Sequence, residues 1–262
     1  MAMLGFSIRK AFYDGWDHIL SLAAMNVFYV LLLLAFYLAG GTNLETHTAL
    51  SLTLLSLIVL VYCIYSVGVY RNAYAYGKDL KSDIKGFFSE IRKRIKYGLF
   101  HYLVTMLILV GTLFVGPAYL SLGSLMGYFT GTLVLWVALA VLLAMQYYYP
   151  LCFYCPHKGP LQIFKLCFAF FLDNFGYTLF LMIRTIFDLV VSVLSALLVP
   201  GLAGVAVSRT TMVRLLIIRY EYLDNHVGIP KKQADWDEML FDESERLRDR
   251  NLLDAVFPRR RR

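Results

Sequence analysis

Apolar residues dominate this chain in long runs, and most of the charge falls between them. Ile19–Ala39 and Ala49–Tyr70 carry no charge at all. Leu99–Leu120 follows, with His101 near its start, and then Leu125–Tyr149. Phe175–Val199 is interrupted by Arg184 and Asp188, and Gly201–Tyr220 contains Arg209 and Arg214. A helix rises 1.5 Å per residue, so about 20 residues cross the roughly 30 Å hydrocarbon core of a bilayer. The pattern predicts an all-α polytopic membrane protein with six transmembrane helices, at about 19–39, 49–70, 99–120, 125–149, 175–199 and 201–220. Residues 221–262 form a charged tail, expected to be cytoplasmic.

A different pattern precedes each pair of spans. Phe6–Trp16 mixes aromatic and charged residues. Ile84–Leu99 places Ile84, Phe87, Phe88, Ile91 and Ile95 on one helical face, with Lys85, Arg92, Lys93 and Lys96 elsewhere. Leu161–Asn174 spaces Ile163, Phe164, Phe168 and Phe171 in the same way. Such spacing beside Lys and Arg is the pattern of a helix lying in the membrane interface. The chain therefore reads as three antiparallel hairpins, each preceded by an amphipathic interfacial helix. The leading segments near Phe12, Phe88 and Phe164 recur at about 76 residues, as an internal repeat would.

Charge then sets the orientation. Gly40–Thr48 holds Glu45 and no Lys or Arg, and the turns near Gly116–Gly127 and Pro200–Gly204 hold no charge. Arg71–Gly98 holds Arg71, Lys78, Lys81, Lys85, Arg92, Lys93, Arg94 and Lys96. Lys158 and Lys165 follow the fourth span, and the tail ends on Arg259–Arg262. Basic residues alternate with span parity, which by the positive-inside bias puts both termini in the cytoplasm. A bacterial inner-membrane location is expected. Composition agrees: 59% of the 262 residues are hydrophobic, 16% are charged and mean hydropathy is +0.62, against about 25% charged in soluble domains. The net charge of +7 belongs to the connections, where Arg92, Lys93, Arg94 and Lys96 are candidates for anionic lipid headgroups. Nucleic acid is not an expected partner.

The residues most costly to place in a bilayer are Arg184, Asp188, Arg209 and Arg214. Arg184 and Asp188 stand at i and i+4, on one helical face. Folding the last two spans about Pro200–Gly201 brings Asp188 toward Arg209. An interhelical salt bridge and an anion-binding polar cluster are both compatible with these four residues, and Arg214 can also snorkel to the cytoplasm. Cys152 and Cys155 form one CxxC with His157 beside it, short of the usual four zinc ligands. Asn26 and Gln146 suit hydrogen bonds between helices. No phosphate loop, HExxH or nucleophile elbow occurs. No metal, cofactor or enzymatic activity is expected.

Ala11-Phe12-Tyr13-Asp14-Gly15-Trp16-Asp17, the segment from Phe87-Phe88 to Lys96, Gln146-Tyr147-Tyr148-Tyr149-Pro150-Leu151 and Leu198-Val199-Pro200-Gly201-Leu202 carry a resemblance. Over about residues 8–220 the chain resembles the YesL-like family of bacterial membrane proteins. The resemblance implies an accessory role beside carbohydrate ABC-transport systems and supplies no catalytic residues. The long charged tail and additional aromatic content depart from the family pattern. Two functions stand: a non-enzymatic accessory or scaffold subunit with a protein partner in the membrane, and a small-solute or lipid carrier using the Arg/Asp cluster.

Overall fold

The computed structural model describes residues 2–41, 48–78, 83–226 and 235–248. Every regular element among them is helical. The order is α1 (Ala2–Asp17), α2 (Ile19–Gly41), α3 (Thr48–Gly77), α4 (Ile84–Val110), a π-helical turn (Gly111–Val115), α5 (Gly116–Ser121) and α6 (Leu125–Met145). It continues with α7 (Tyr148–Tyr154), α8 (Pro160–Asp173), α9 (Phe175–Leu194), α10 (Gly201–Asn225), α11 (Trp236–Met239) and α12 (Phe241–Arg248). Six stretches are long and apolar enough to cross a membrane: Ile19–Ala39, Ala49–Gly77, Ile84–Ser121, Leu125–Tyr154, Phe175–Leu194 and Gly201–Asn225. The chain is a multi-pass α-helical membrane protein.

Local sequence explains where the elements begin and bend. Asp83 caps α4 by accepting the Gly86 N–H at 3.0 Å, and Ser124 caps α6 through Gly127 at 3.1 Å. Each side chain satisfies an N–H that the first helical turn leaves without a partner. At Arg94 the backbone leaves helical geometry (φ −112°, ψ 18°), so the expected 84–99 segment and the third span form one kinked helix. Pro117 has no N–H to give Leu113 and crowds that carbonyl. The ladder widens just before it, and the Gly116 N–H bonds to Gly111 O, the five-residue spacing of a π turn. The fifth span stops at Leu194 instead of reaching Val199. Ala196 and Leu197 take positive φ of 51° and 64° and turn the chain toward α10.

Burial differs widely among the six candidate spans. α3 contacts α2, α4 and α10, α5 packs on α6, and α9 packs on α10. The α5–α6 approach depends on glycine: a Cβ on Gly131 would lie 2.9 Å from Gly116 O, and one on Gly127 2.5 Å from Tyr119 O. These contacts bring backbone against backbone, where small residues drive association in lipid. α10 is the centre. Of its apolar window 72% is buried, against 11% for Ile84–Ser121. α1, α2, α3, α7 and α9 surround it.

The tail divides. Residues 235–248 fold back, burying Met239, Leu240, Glu243 and Leu247. The Arg259–Arg262 cluster, Glu45 and Lys81 lie outside the described residues.

Candidate functional site

The four intramembrane charges do not meet as one cluster. Arg184 faces Asp188, Nε to Oδ2 at 3.5 Å, and Ser208 donates to the same oxygen at 3.0 Å. Among the described residues no ion pair joins Asp188 to Arg209, the contact expected from the sequence. α10 turns Arg209 toward α3 and α9 instead, where it donates to Tyr70 Oη at 3.3 Å and Thr185 Oγ1 at 3.5 Å. Arg214 is about 1.4 turns further along and bonds to Glu243 of α12. One helix thus presents three polar groups to three different neighbours, because 209 and 214 are about 140° apart around a 3.6-residue helix.

Glu243 ties the tail to the bundle. Its second carboxylate oxygen lies 3.3 Å from Lys10 Nζ, and Lys10 is also 3.4 Å from Asp14. Lys10, Asp14 and Glu243 are all buried. Arg9 donates to the Leu247 carbonyl at 3.1 Å. α12 therefore rests on α1 and α10, with two cations and two carboxylates balanced. The Lys10/Asp14 spacing could have signalled half of this network. Glu243 could not be recognised, since nothing local marks its partner 233 residues away.

The basic residues of α4 also separate. Arg94 turns inward at the kink: its guanidinium donates to Cys152 O at 2.5 Å and lies 4.8 Å from the Phe153 ring centre. Lys93 pairs with Glu90 at 3.0 Å while staying exposed, Arg92 is exposed, and Lys96 lies 5.4 Å from the Tyr97 ring centre. Arg92 and Lys93 stay on the exposed surface, whereas Arg94 braces α4 against α7. Cys152 donates its thiol to Tyr148 O at 3.1 Å. Burial pushes the Cys155 thiol up, away from the thiolate that metals and exchange chemistry need. Among the described residues no three His, Cys, Asp or Glu converge on a metal-sized site.

The feature that sequence reasoning missed is a cavity of about 880 Å³ between α1, α9 and α10. Phe12 and Trp16 of α1, stacked at 5.8 Å, form one wall. Phe187 and Val191 of α9 and Val207 of α10 form others, and Arg9, Arg184, Asp188 and Ser208 supply the polar groups. The short polar–aromatic pattern of Phe6–Trp16 was the available signal. Its apolar side covers protein and cavity, not lipid alone.

Asn26 anchors the α9–α10 turn, whose Val199 and Pro200 line this cavity. It is buried in α2 and donates to Leu198 O and Pro200 O, both at 2.8 Å, while the Ala203 N–H donates back to its Oδ1 at 2.9 Å. The α9–α10 turn thus docks seven residues after the start of α2. From Asn26 to Gly41 another 15 residues, ~22 Å of helix, continue past it. Cavity and turn occupy the half of the bundle nearest α1.

Compared with known families, curated proteins and solved structures, the chain matches none.

Proposed function

We propose that this protein resides in the bacterial cytoplasmic membrane with both termini cytoplasmic, and that it binds a lipid-like amphiphile without transforming it. The observation that carries this reading is the cavity between α1, α9 and α10. Its volume falls within the roughly 300–1,000 Å³ of pockets that hold one small molecule, and such pockets combine apolar walls with a few placed polar groups. Its depth favours an amphiphile over a water-soluble cargo, because the cavity lies beside the leaflet next to α1 instead of crossing the bundle. The alternation of Lys and Arg supports the cytoplasmic assignment of that side.

The test uses Trp16, which lines the cavity. In protein carrying Trp136→Phe and Trp236→Phe, reconstituted into phosphatidylcholine nanodiscs, a bromine-labelled acyl chain should quench Trp16 saturably. Val191→Trp, placed to fill the cavity, should abolish saturation when read with a spin-labelled amphiphile. Quenching that rises linearly with label, as it would for bulk lipid, contradicts the reading.

A second reading, an accessory or scaffold subunit, draws on the docked tail. α12 is held by ionic contacts on the side assigned to the cytoplasm, where a partner could meet it. Exposed Arg92 and Lys93 would hold that side near anionic headgroups. Recovery of a second polypeptide in fixed ratio under mild detergent would favour this reading, and a lone chain would count against it.

A further inference from the structure

We infer that the amphiphile held in the α1/α9/α10 cavity carries an anionic headgroup and that Arg184 receives it. This rests on the binding reading above and names the chemical class of the ligand.

The guanidinium of Arg184 is underused. Its Nε is buried and makes no hydrogen bond, and its closest carboxylate oxygen, on Asp188, is 3.5 Å away. That distance is an ion pair but lies beyond the 2.7–3.2 Å of a good N–H···O bond. Asp188 meanwhile accepts from Ser208. No further partner of Arg184 exists among the described residues. Arginine presents five N–H donors in a planar fork that fits carboxylate and phosphate oxygens in pairs. Leaving a buried guanidinium N–H without a hydrogen bond is costly, and an anion would repair it.

Arg9 of α1, which donates to the Leu247 carbonyl, also lines the cavity. The apolar remainder, from Phe12 and Trp16 to Val191 and Val207, suits one acyl chain. A free fatty acid and a single-chain phospholipid share this chemistry.

The experiment measures binding to the full-length protein in phosphatidylcholine nanodiscs. The probes are palmitate, lysophosphatidate, monopalmitoylglycerol and lysophosphatidylcholine. Both anionic probes, or one of them, should bind at least tenfold more tightly than the two without net charge. Preference for lysophosphatidate assigns a phospholipid source, and preference for palmitate assigns a fatty acid. Arg184→Gln should remove that preference while leaving the weak binding of monopalmitoylglycerol in place. Asp188→Asn keeps an acceptor for Ser208 but removes the competing carboxylate, so it should tighten anionic binding about three- to tenfold. This variant guards against a folding defect at Arg184, because it predicts a gain. Equal affinity for charged and uncharged probes overturns the headgroup assignment and leaves the cavity reading standing. Anionic affinity that Arg184→Gln and Asp188→Asn leave unchanged overturns it too. Binding of none of the four overturns both.

Discussion

α6 and α10 are both long enough to cross a bilayer, yet they are built for opposite surroundings. α6 has no charged residue. It exposes Leu125, Met126, Phe129, Leu133 and Trp136, and within the described bundle Gly127, Gly131 and Ala138 are among its few buried positions. α10 carries Arg209 and Arg214 and is the least apolar of the six, yet Ala203 through Ser208 and Thr210 through Val213 are buried. Low hydropathy in a span is therefore a statement about its neighbours. Lipid is as apolar as leucine and cannot satisfy an arginine or a threonine. A helix enclosed by other helices can keep many such residues, and α10 is the most enclosed of the six candidate spans.

The largest expected effect lies where α10 meets the tail. Glu243→Ala leaves buried Lys10 and half-buried Arg214 without their shared carboxylate. Removing one partner of a buried pair costs about 3–5 kcal/mol, so α12 should detach. Limited proteolysis within 235–248 would report it, and unchanged protection would show that the apolar contacts of Leu240 and Leu247 hold α12 alone.

Packing tests the contrast directly. Leu215 in α10 is fully buried, whereas Leu133 in α6 is half exposed. Leu215→Ala should destabilise by about 2–5 kcal/mol through the cavity it leaves. Leu133→Ala should stay within about 0.5 kcal/mol, as surface changes do. Reversible unfolding in mixed detergent would measure both, and equal losses would break the comparison.

Asn26→Ala comes next. It strips partners from two carbonyls and one N–H at the α9–α10 turn. Unsatisfied buried groups cost roughly 1–3 kcal/mol, and thermal unfolding should show a loss in that range. No loss would mean that water replaces the side chain.

The smallest effect is one of pH, far from α10. The Gly86 N–H, helped by Arg71, holds the Asp83 carboxyl below its ordinary value. A depressed carboxyl contributes stability above its unfolded pKa and loses it as pH falls through the folded one. The protection factor of the Gly86 amide, taken against the intrinsic exchange rate at each pH, should therefore fall on acidification, and Asp83→Asn should remove that dependence.

Much of the fold was legible because its signals are local. The spans starting at Ile19, Leu125, Phe175 and Gly201 begin where apolar runs meet His18, Ser124, Asn174 and Pro200. The end of the fifth span was not, because Ser195–Val199 is as apolar as the helix before it, and only backbone conformation ends it. The site was legible in part. Arg184 and Asp188 stood out as a pair by their i, i+4 spacing. Grouping Arg209 and Arg214 with them assumed that charges in one hairpin seek each other, whereas the facing oxygens of Tyr70 and Thr185, and Glu243 far along the chain, took them. Of the cavity only the Phe6–Trp16 wall left a trace in the sequence, since the rest depends on how α1, α9 and α10 are placed in space.

The most direct test of the account is the mass of the protein released from its own membranes in mild nonionic detergent. The account predicts one acidic, single-chain lipid bound per polypeptide, lost in Val191→Trp and reduced in Arg184→Gln. A bare polypeptide, or the same mixture of lipids on wild type and Val191→Trp, would contradict it.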